Sequence, residues 1–226
     1  HILRITSGRP HVTLKLALSS DGKIGGAGRT PIAITGEEVR TRVHMFRAES
    51  DAILIGIGTA TADNPQLNSR LPGMDGRSPV RVILDRSLRL SPTSYLAKSA
   101  RNVPIWVFAG TSVEPSSATL LEAEGVKIIH THCPKDRIDL DGVLHELALR
   151  GISRLMVEGG SRVAASFVEA NLADEIWLYR SAIVVGQEGI DPLDQLPLTT
   201  ITQSPHYRVR ATEQLGADSL TIYERA

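Results

Sequence analysis

An α/β fold, with a mostly parallel central sheet, flanking helices and a C-terminal antiparallel hairpin, is predicted by three observations in this 226-residue chain. Short apolar runs of strand length recur along it, amphipathic stretches with helix-start signals lie between them, and from Tyr207 onward the tail changes to short alternating apolar and polar runs. Continuous apolar runs suit strands buried on both faces, and a strand–helix rhythm is what parallel connections require.

Taken in order, Val12 to Leu18 is the first strand, with Lys15 inside it and Ser19-Ser20-Asp21-Gly22-Lys23-Ile24 as a polar turn after it. A lysine in an apolar strand must reach a partner, a cleft or the water at a sheet edge, because an unpaired buried ammonium is prohibitive. The glycine-laden stretch Gly22 to Gly28 reads as a flap beyond the strand's end. Thr35-Gly36-Glu37-Glu38 has capping-box spacing and leads into Val39, Val43, Phe46 and Arg47 at helical intervals. Further strand runs are Ala52 to Ile57, Val80 to Leu84, Ile105 to Phe108, Val126 to Ile129, Leu155 to Val157 and Ile176 to Tyr179. Pro115 to Glu124, Leu140 to Leu149 and Arg162 to Leu172 read as helices, and Pro72 to Pro79 as a mobile loop. Tyr207 to Ala211 and Leu220 to Tyr223, separated by Gly216-Ala217-Asp218, read as the hairpin.

Bulk composition narrows the function. Residues 1–226 fit a single domain, and Lys+Arg and Asp+Glu are balanced at 25 each, which argues against a nucleic-acid binder or a membrane-surface protein. Cys133 is the one cysteine, so no intrachain disulfide forms and a reducing, cytoplasmic setting is expected. No apolar run approaches the roughly 18 residues that span a bilayer, and the N-terminus lacks a signal-peptide layout. The chain begins at His1 and not at Met, which leaves room for an upstream domain.

Residues with chemical potential gather at strand ends. Gly56-Ile57-Gly58-Thr59-Ala60-Thr61-Ala62-Asp63-Asn64-Pro65-Gln66-Leu67-Asn68-Ser69-Arg70 comes directly after a buried strand, where open α/β sheets collect ligands. Its Gly-x-Gly lacks the third glycine of the dinucleotide fingerprint, and Asp63 could instead cap a turn beside Pro65. After the next strand, Asp85-Arg86 offers an acid that favours a ribose hydroxyl and an arginine that can hold a 2′-phosphate, which tips the choice toward NADPH. Arg47 and Arg86 have solvated surface positions as their alternative. Glu158-Gly159-Gly160-Ser161 empties from a strand into a helix start, either a structural junction or a phosphate cradle with a carboxylate at its mouth. His130 and His132 beside Cys133 resemble a metal trio but sit at an expected strand exit, so no metal is expected; nucleophile-elbow, P-loop and His-Glu-x-x-His patterns do not occur.

Taken together, Lys15-x-Ala17-x-Ser19-x-Asp21-Gly22-x-Ile24, Thr59-x-x-x-Asp63-Asn64-Pro65-x-Leu67-x-x-Arg70, Arg81-Val82-Ile83-Leu84-Asp85 and Val157-Glu158-Gly159-Gly160 resemble the riboflavin-biosynthesis reductase domain, in order and spacing over almost the whole chain. The resemblance implies a dihydrofolate-reductase-like fold, a homodimer and NADPH-dependent reduction of 5-amino-6-(5-phosphoribosylamino)uracil to its ribitylamino product. It also implies that a zinc deaminase often precedes such a domain; the deaminase's His/Cys motif does not occur in this sequence. Carried over by position, NADPH falls to Ala17, Thr59, Asp63, Arg86 and the turn and helix start Gly159, Gly160, Ser161, Arg162, Val163, Ala164, Ala165 and Ser166. Substrate falls to Arg47, Leu67, Arg70 and Glu158, and Lys15, Asp63 and Glu158 are the proton handlers. Lys15 is expected to polarise or protonate the group at the ribose C1′ that receives the hydride. Where family members carry Ser-x-Trp-Ile-Thr, this chain has Pro31, Ile32, Ala33, Ile34 and Thr35, so two side-chain contacts are lost. A pterin or dihydrofolate reductase and a non-catalytic nucleotide-binding module are the competing readings.

Overall fold

The structure, a computed structural model, describes residues 2–30 and 32–226. The elements run α1 Ile2–Thr6, β1 His11–Leu18, α2 Glu37–Glu49, β2 Ala52–Gly56, α3 Ile57–Asp63, β3 Val80–Leu84, α4 Tyr95–Lys98, β4 Ile105–Ala109, α5 Pro115–Ala123, β5 Lys127–His130, α6 Leu140–Leu149, β6 Arg154–Val157, α7 Ser161–Glu169, β7 Glu175–Arg180, α8 Thr199–Thr202, β8 Tyr207–Leu215 and β9 Asp218–Arg225. The fold class is as predicted: α/β, with a mostly parallel sheet finished by an antiparallel hairpin.

The chain divides into two compact units, one formed by Phe46–Leu155 with the N-terminal stretch up to His11, the other by Val12–Met45 with Met156–Ala226. In the first, β2, β3, β4 and β5 pair in parallel, with Gly56 opposite Leu84 and Leu84 opposite Phe108. Every residue of β2 is buried, as expected of a strand covered on both faces. The outer strand β5 departs from that expectation, with Lys127 and His130 exposed at its ends; the strand also begins one residue later than the apolar run. α6 buries Val143, Leu144, Leu147 and Ala148 at helical spacing.

In the second unit β1 pairs with β7 in parallel, β7 with β9 antiparallel, and β9 with β8 through the Gly216 turn. β1 is not buried evenly: Val12, Leu14, Leu16 and Leu18 are in the core, whereas Lys15 and Ala17 lie on a partly open face. Period-two alternation in the strand therefore singles out the face that carries the lysine.

Two local expectations are corrected. The capping box is shifted by one residue: the bond from Arg40 N to Gly36 O makes Gly36, not Thr35, the residue that begins the first turn of α2. The Asp218 carboxylate accepts from Gly36 N at 2.7 Å, so the hairpin supplies the acid at this helix start. The strand run read as Ala52 to Ile57 ends at Gly56: Ile57 opens α3, entered through Gly56 in an extended conformation. The 72–79 loop holds a short 3-10 turn, Asp75–Arg77.

Candidate functional site

The first unit presents its candidates beyond the carboxyl ends of β2 and β3, which are neighbours in register. Thr59 is half-buried within α3, and Asp63 ends that helix at the surface. Partial loss of hydration pushes the Asp63 carboxyl above its ordinary value. The chain then turns sharply. Asn64 is left-handed (φ 41°), and its Oδ1 accepts from Tyr95 N at 2.9 Å. Leu67 is left-handed as well (φ 52°), and its side chain is only 4% exposed, so a ligand at this position meets backbone. Arg70 lies at the surface, and Arg47 donates to the Asn68 carbonyl at 3.3 Å, which brings the two arginines to one segment.

After β3 the two candidate side chains separate in role. Asp85 is fully buried, and one of its carboxylate oxygens accepts from Leu90 N at 2.8 Å, closing the turn that contains left-handed Leu88. It is thereby committed to the fold and withdrawn from the ribose role. Arg86 remains at the surface, ion-paired with the exposed Asp136.

The second unit gathers the rest. Lys15 and Ala17 sit opposite Trp177 and Tyr179 on β7, and the Lys15 ammonium lies 5.9 Å from the centroid of the Tyr179 ring. Tyr179 is fully buried, and its hydroxyl has no hydrogen-bond partner. Burial above all, then the charges of Glu158 and Glu213 against that of Arg42, pushes this phenol strongly upward, so it stays neutral. Glu158 comes directly after β6 and is half-buried. Gly160 begins α7 at φ 60°, ψ 147° and provides no side-chain cap for the N–H groups of the first turn. Arg162 points to solvent, Gly159 is buried, Ser161, Val163 and Ser166 are half-buried, and Ala164 and Ala165 turn into the core, so the two alanines contribute packing and backbone only.

A side chain not among the predicted site residues organises this region. Asp21 accepts from Ser19 Oγ (2.6 Å), Val185 N (3.1 Å) and Gly186 N (2.7 Å), which fastens the turn after β1 to the loop after β7. These bonds, the Ser19 hydroxyl foremost, hold its carboxyl down at about 2. A depressed acid contributes stability that is present above its unfolded value and lost as pH falls through its folded one. Acid unfolding of the wild-type chain is therefore expected to carry a component between about pH 4 and about pH 2. In Asp21→Asn, thermal melts across that interval should be flatter, and an unchanged slope contradicts the clamp. Of the departing segment, Pro31 lies outside the described residues, Ile32 and Ala33 are exposed, and Ile34 is in the core.

A cavity of about 500 Å³ in the second unit is bounded by the start of α2 and the β8–β9 turn, and none of the candidate residues lines it. Among the described residues no cluster of His, Cys, Asp or Glu suits a metal, and no helix is long and apolar enough to cross a membrane. His130 uses its ring nitrogen on the Gly110 carbonyl at 3.0 Å.

A family model described as RibD C-terminal domain matches residues 10–221. The Bacillus amyloliquefaciens "Riboflavin biosynthesis protein RibD" is 35% identical over 99% of this chain and 62% of that protein. The Methanothermobacter thermautotrophicus "2,5-diamino-6-ribosylamino-4(3H)-pyrimidinone 5′-phosphate reductase" is 31% identical over 95% of this chain and 98% of its own length. A crystal structure from Thermotoga maritima, described as a diaminohydroxyphosphoribosylaminopyrimidine deaminase/5-amino-6-(5-phosphoribosylamino)uracil reductase, superposes with a TM-score of 0.81 at 30% identity, covering 100% of this chain and 59% of that one. The chain thus spans about six tenths of the bacterial relatives and nearly all of the archaeal one. Match length, identity and shared fold lead to one conclusion: the chain belongs to the RibD C-terminal domain family.

Proposed function

We propose that residues 1–226 form one reductase domain that uses NADPH to convert 5-amino-6-(5-phosphoribosylamino)uracil to 5-amino-6-(5-phosphoribitylamino)uracil, acting as a cytoplasmic homodimer. The observation that carries this reading is Lys15 on the partly open face of β1, an ammonium held beside a buried aromatic ring in a chain of this family. The family match runs through both compact units, which supports a single functional domain.

The residues fit a phosphorylated dinucleotide. A helix start entered through a bare glycine suits a pyrophosphate, and the surface arginine after β3 suits a 2′-phosphate. Ala17, Thr59 and Asp63 complete the proposed cofactor set. NADPH, when bound, supplies the hydride. The protein's share is positioning and proton supply. Arg47 and Arg70 hold the substrate's phosphate, the Leu67 backbone and Glu158 hold its polar atoms, and Lys15 keeps a proton at the oxygen or nitrogen of C1′ as that carbon becomes saturated. Asp63, with its raised carboxyl, is the second proton-handling group on this reading.

Arg86 gives the cofactor reading its own check. Its present partner is the exposed Asp136, a pair weak enough for a dianionic 2′-phosphate to displace. Arg86→Ala is expected to raise the KM for NADPH by about tenfold, in line with about 1.5–3 kcal/mol for a hydrogen bond to a charged group, while leaving that for NADH within about twofold. Equal effects on both cofactors would remove Arg86 from the 2′-phosphate site.

The defining experiment is NADPH oxidation by the purified chain with the phosphoribosylaminouracil, with its 2-amino pyrimidinone counterpart named for the archaeal relative, and with dihydrofolate. Turnover with the uracil is the expected result. Turnover with dihydrofolate alone would favour the pterin reading, and NADPH binding without oxidation on any of them would indicate a non-catalytic module.

A further inference from the structure

We infer that Arg81 is a positioning residue for the Asn64–Arg70 segment, its buried guanidinium fixing the backbone from which Leu67 and Arg70 are presented. The inference rests on the reading above, in which those two residues meet the substrate. Arg81 is the second residue of β3 and is 1% exposed, in a strand where an aliphatic side chain would satisfy burial at far lower cost. Its hydrogen bonds all go to neutral oxygens. Nη1 donates to Ser99 Oγ at 2.8 Å and to the Gln66 carbonyl at 3.2 Å, and Nη2 donates to the Ser99 carbonyl at 3.1 Å and to the Val103 carbonyl. Burial lowers the guanidinium to about 10, which still leaves it a cation at neutral pH. Nε has no partner.

Bonds to Ser99 and Val103 alone would make this side chain an anchor for the end of α4. The bond to Gln66 extends the anchor to the residue next to Leu67, within a segment whose backbone is strained. Asn64 (φ 41°) and Leu67 (φ 52°) are both left-handed without being glycine. Such residues cost roughly 1–3 kcal/mol each and persist where their surroundings over-determine them. The restraints come from outside the segment: Tyr95 N on Asn64 Oδ1 at 2.9 Å, Ser78 Oγ on Ser69 N at 3.3 Å, Arg47 on the Asn68 carbonyl at 3.3 Å, and Arg81 on the Gln66 carbonyl. Arg81 joins two of these supports, because Ser99, which its two nitrogens grip, also bonds through Oγ to the Tyr95 carbonyl at 2.7 Å. A planar fork can serve the carbonyl of the segment and the end of α4 together; a lysine ammonium cannot keep that geometry.

The test compares Arg81→Lys, Arg81→Met and Ser99→Ala with the wild-type chain, well below each thermal midpoint. Trypsin cuts after Arg70, at the C-terminal end of the segment, and after Arg208, an exposed residue of β8. Loosening of the segment should speed cleavage after Arg70 by roughly tenfold relative to cleavage after Arg208 in Arg81→Lys, with a smaller rise in Ser99→Ala. The KM for the phosphorylated pyrimidine should rise about tenfold or more with kcat within about threefold, since displaced binding groups cost affinity steeply. Should Arg81→Met fail to fold, Arg81→Lys and Ser99→Ala carry the comparison. Cleavage at the two sites rising in step, or an unmoved KM, would reduce Arg81 to a core anchor and overturn the inference. A wild-type chain without turnover would instead defeat the reductase reading, and the proteolysis ratio would still decide the positioning role.

Discussion

Lys15→Met is expected to lower kcat by about 10²–10⁴-fold, the range for loss of a positioned proton donor, while leaving NADPH affinity nearly unchanged. The substitution keeps most of the side-chain stem, so packing along β1 survives and only the ammonium is removed. That ammonium is held on the face of β1 shared with Ala17, 5.9 Å from the ring of a tyrosine that burial keeps neutral. A neutral aromatic neighbour favours the charged lysine, whereas an ionised one would form a fixed ion pair and compete with substrate. Lys15→Arg should not restore turnover, because a planar, permanently charged guanidinium neither fits the same space nor gives up a proton. Full turnover in Lys15→Met removes the residue from the chemistry.

Gly160→Ala has the second large effect. At φ 60°, ψ 147° this position is one that only glycine occupies without strain, and an alanine there costs of order 1–3 kcal/mol. For a chain of 226 residues each kcal/mol corresponds to about 2–4 °C in Tm. The strain can be relieved only by re-aiming the start of α7, so NADPH affinity should fall by roughly tenfold or more in calorimetry. Gly151→Ala is the control: it also has positive φ (95°), and an added Cβ meets nothing nearer than Arg4 Nη1 at 3.8 Å. That variant should lose comparable stability and keep NADPH affinity. Equal loss of affinity in both would mean that general loosening, and not the helix start, is responsible.

The fold was legible where information is local. Leu140 to Leu149 repeats apolar residues at helical spacing and is helical over that whole range; Tyr207 to Tyr223 alternates around a glycine and is the hairpin. The expectation failed where a distant partner decides. Thr35 offers a hydroxyl at capping-box spacing, yet α2 begins at Gly36 because the Asp218 carboxylate, 182 residues along the chain, binds its N–H. The apolar run Ala52 to Ile57 reads as one strand, but β2 stops at Gly56 and Ile57 opens α3, whose C-terminal end is fixed by left-handed Asn64 bonded to Tyr95 N.

The same division governs the candidate site. The strand-end positions of Glu158 and Gly160 in one unit, and of Asp63 and Arg86 in the other, were legible from runs and spacing, because each follows an apolar strand run or ends the helix after it. What those residues do with their charges was not. Asp85 and Arg86 are adjacent in sequence, yet one is spent on the Leu90 turn and the other is at the surface. Asp21 and Arg81 appeared only as members of sequence motifs, since their partners at Val185, Gly186, Gln66 and Ser99 lie far along the chain. Tyr179 carried no local signal beyond strand propensity; its unpartnered hydroxyl is visible only once β7 is packed.

In the proposed reaction hydride passes from NADPH to C1′ of a phosphoribosylaminopyrimidine. The decisive measurement supplies NADPH deuterated at nicotinamide C4, on each face in turn, with the phosphoribosylaminouracil, and follows the product by mass spectrometry and proton NMR. The expected product is a phosphoribitylamino compound that gains one deuterium, at C1′, from one of the two labelled cofactors only. A ribityl product without deuterium from either cofactor, or deuterium at any other carbon, would contradict that reaction.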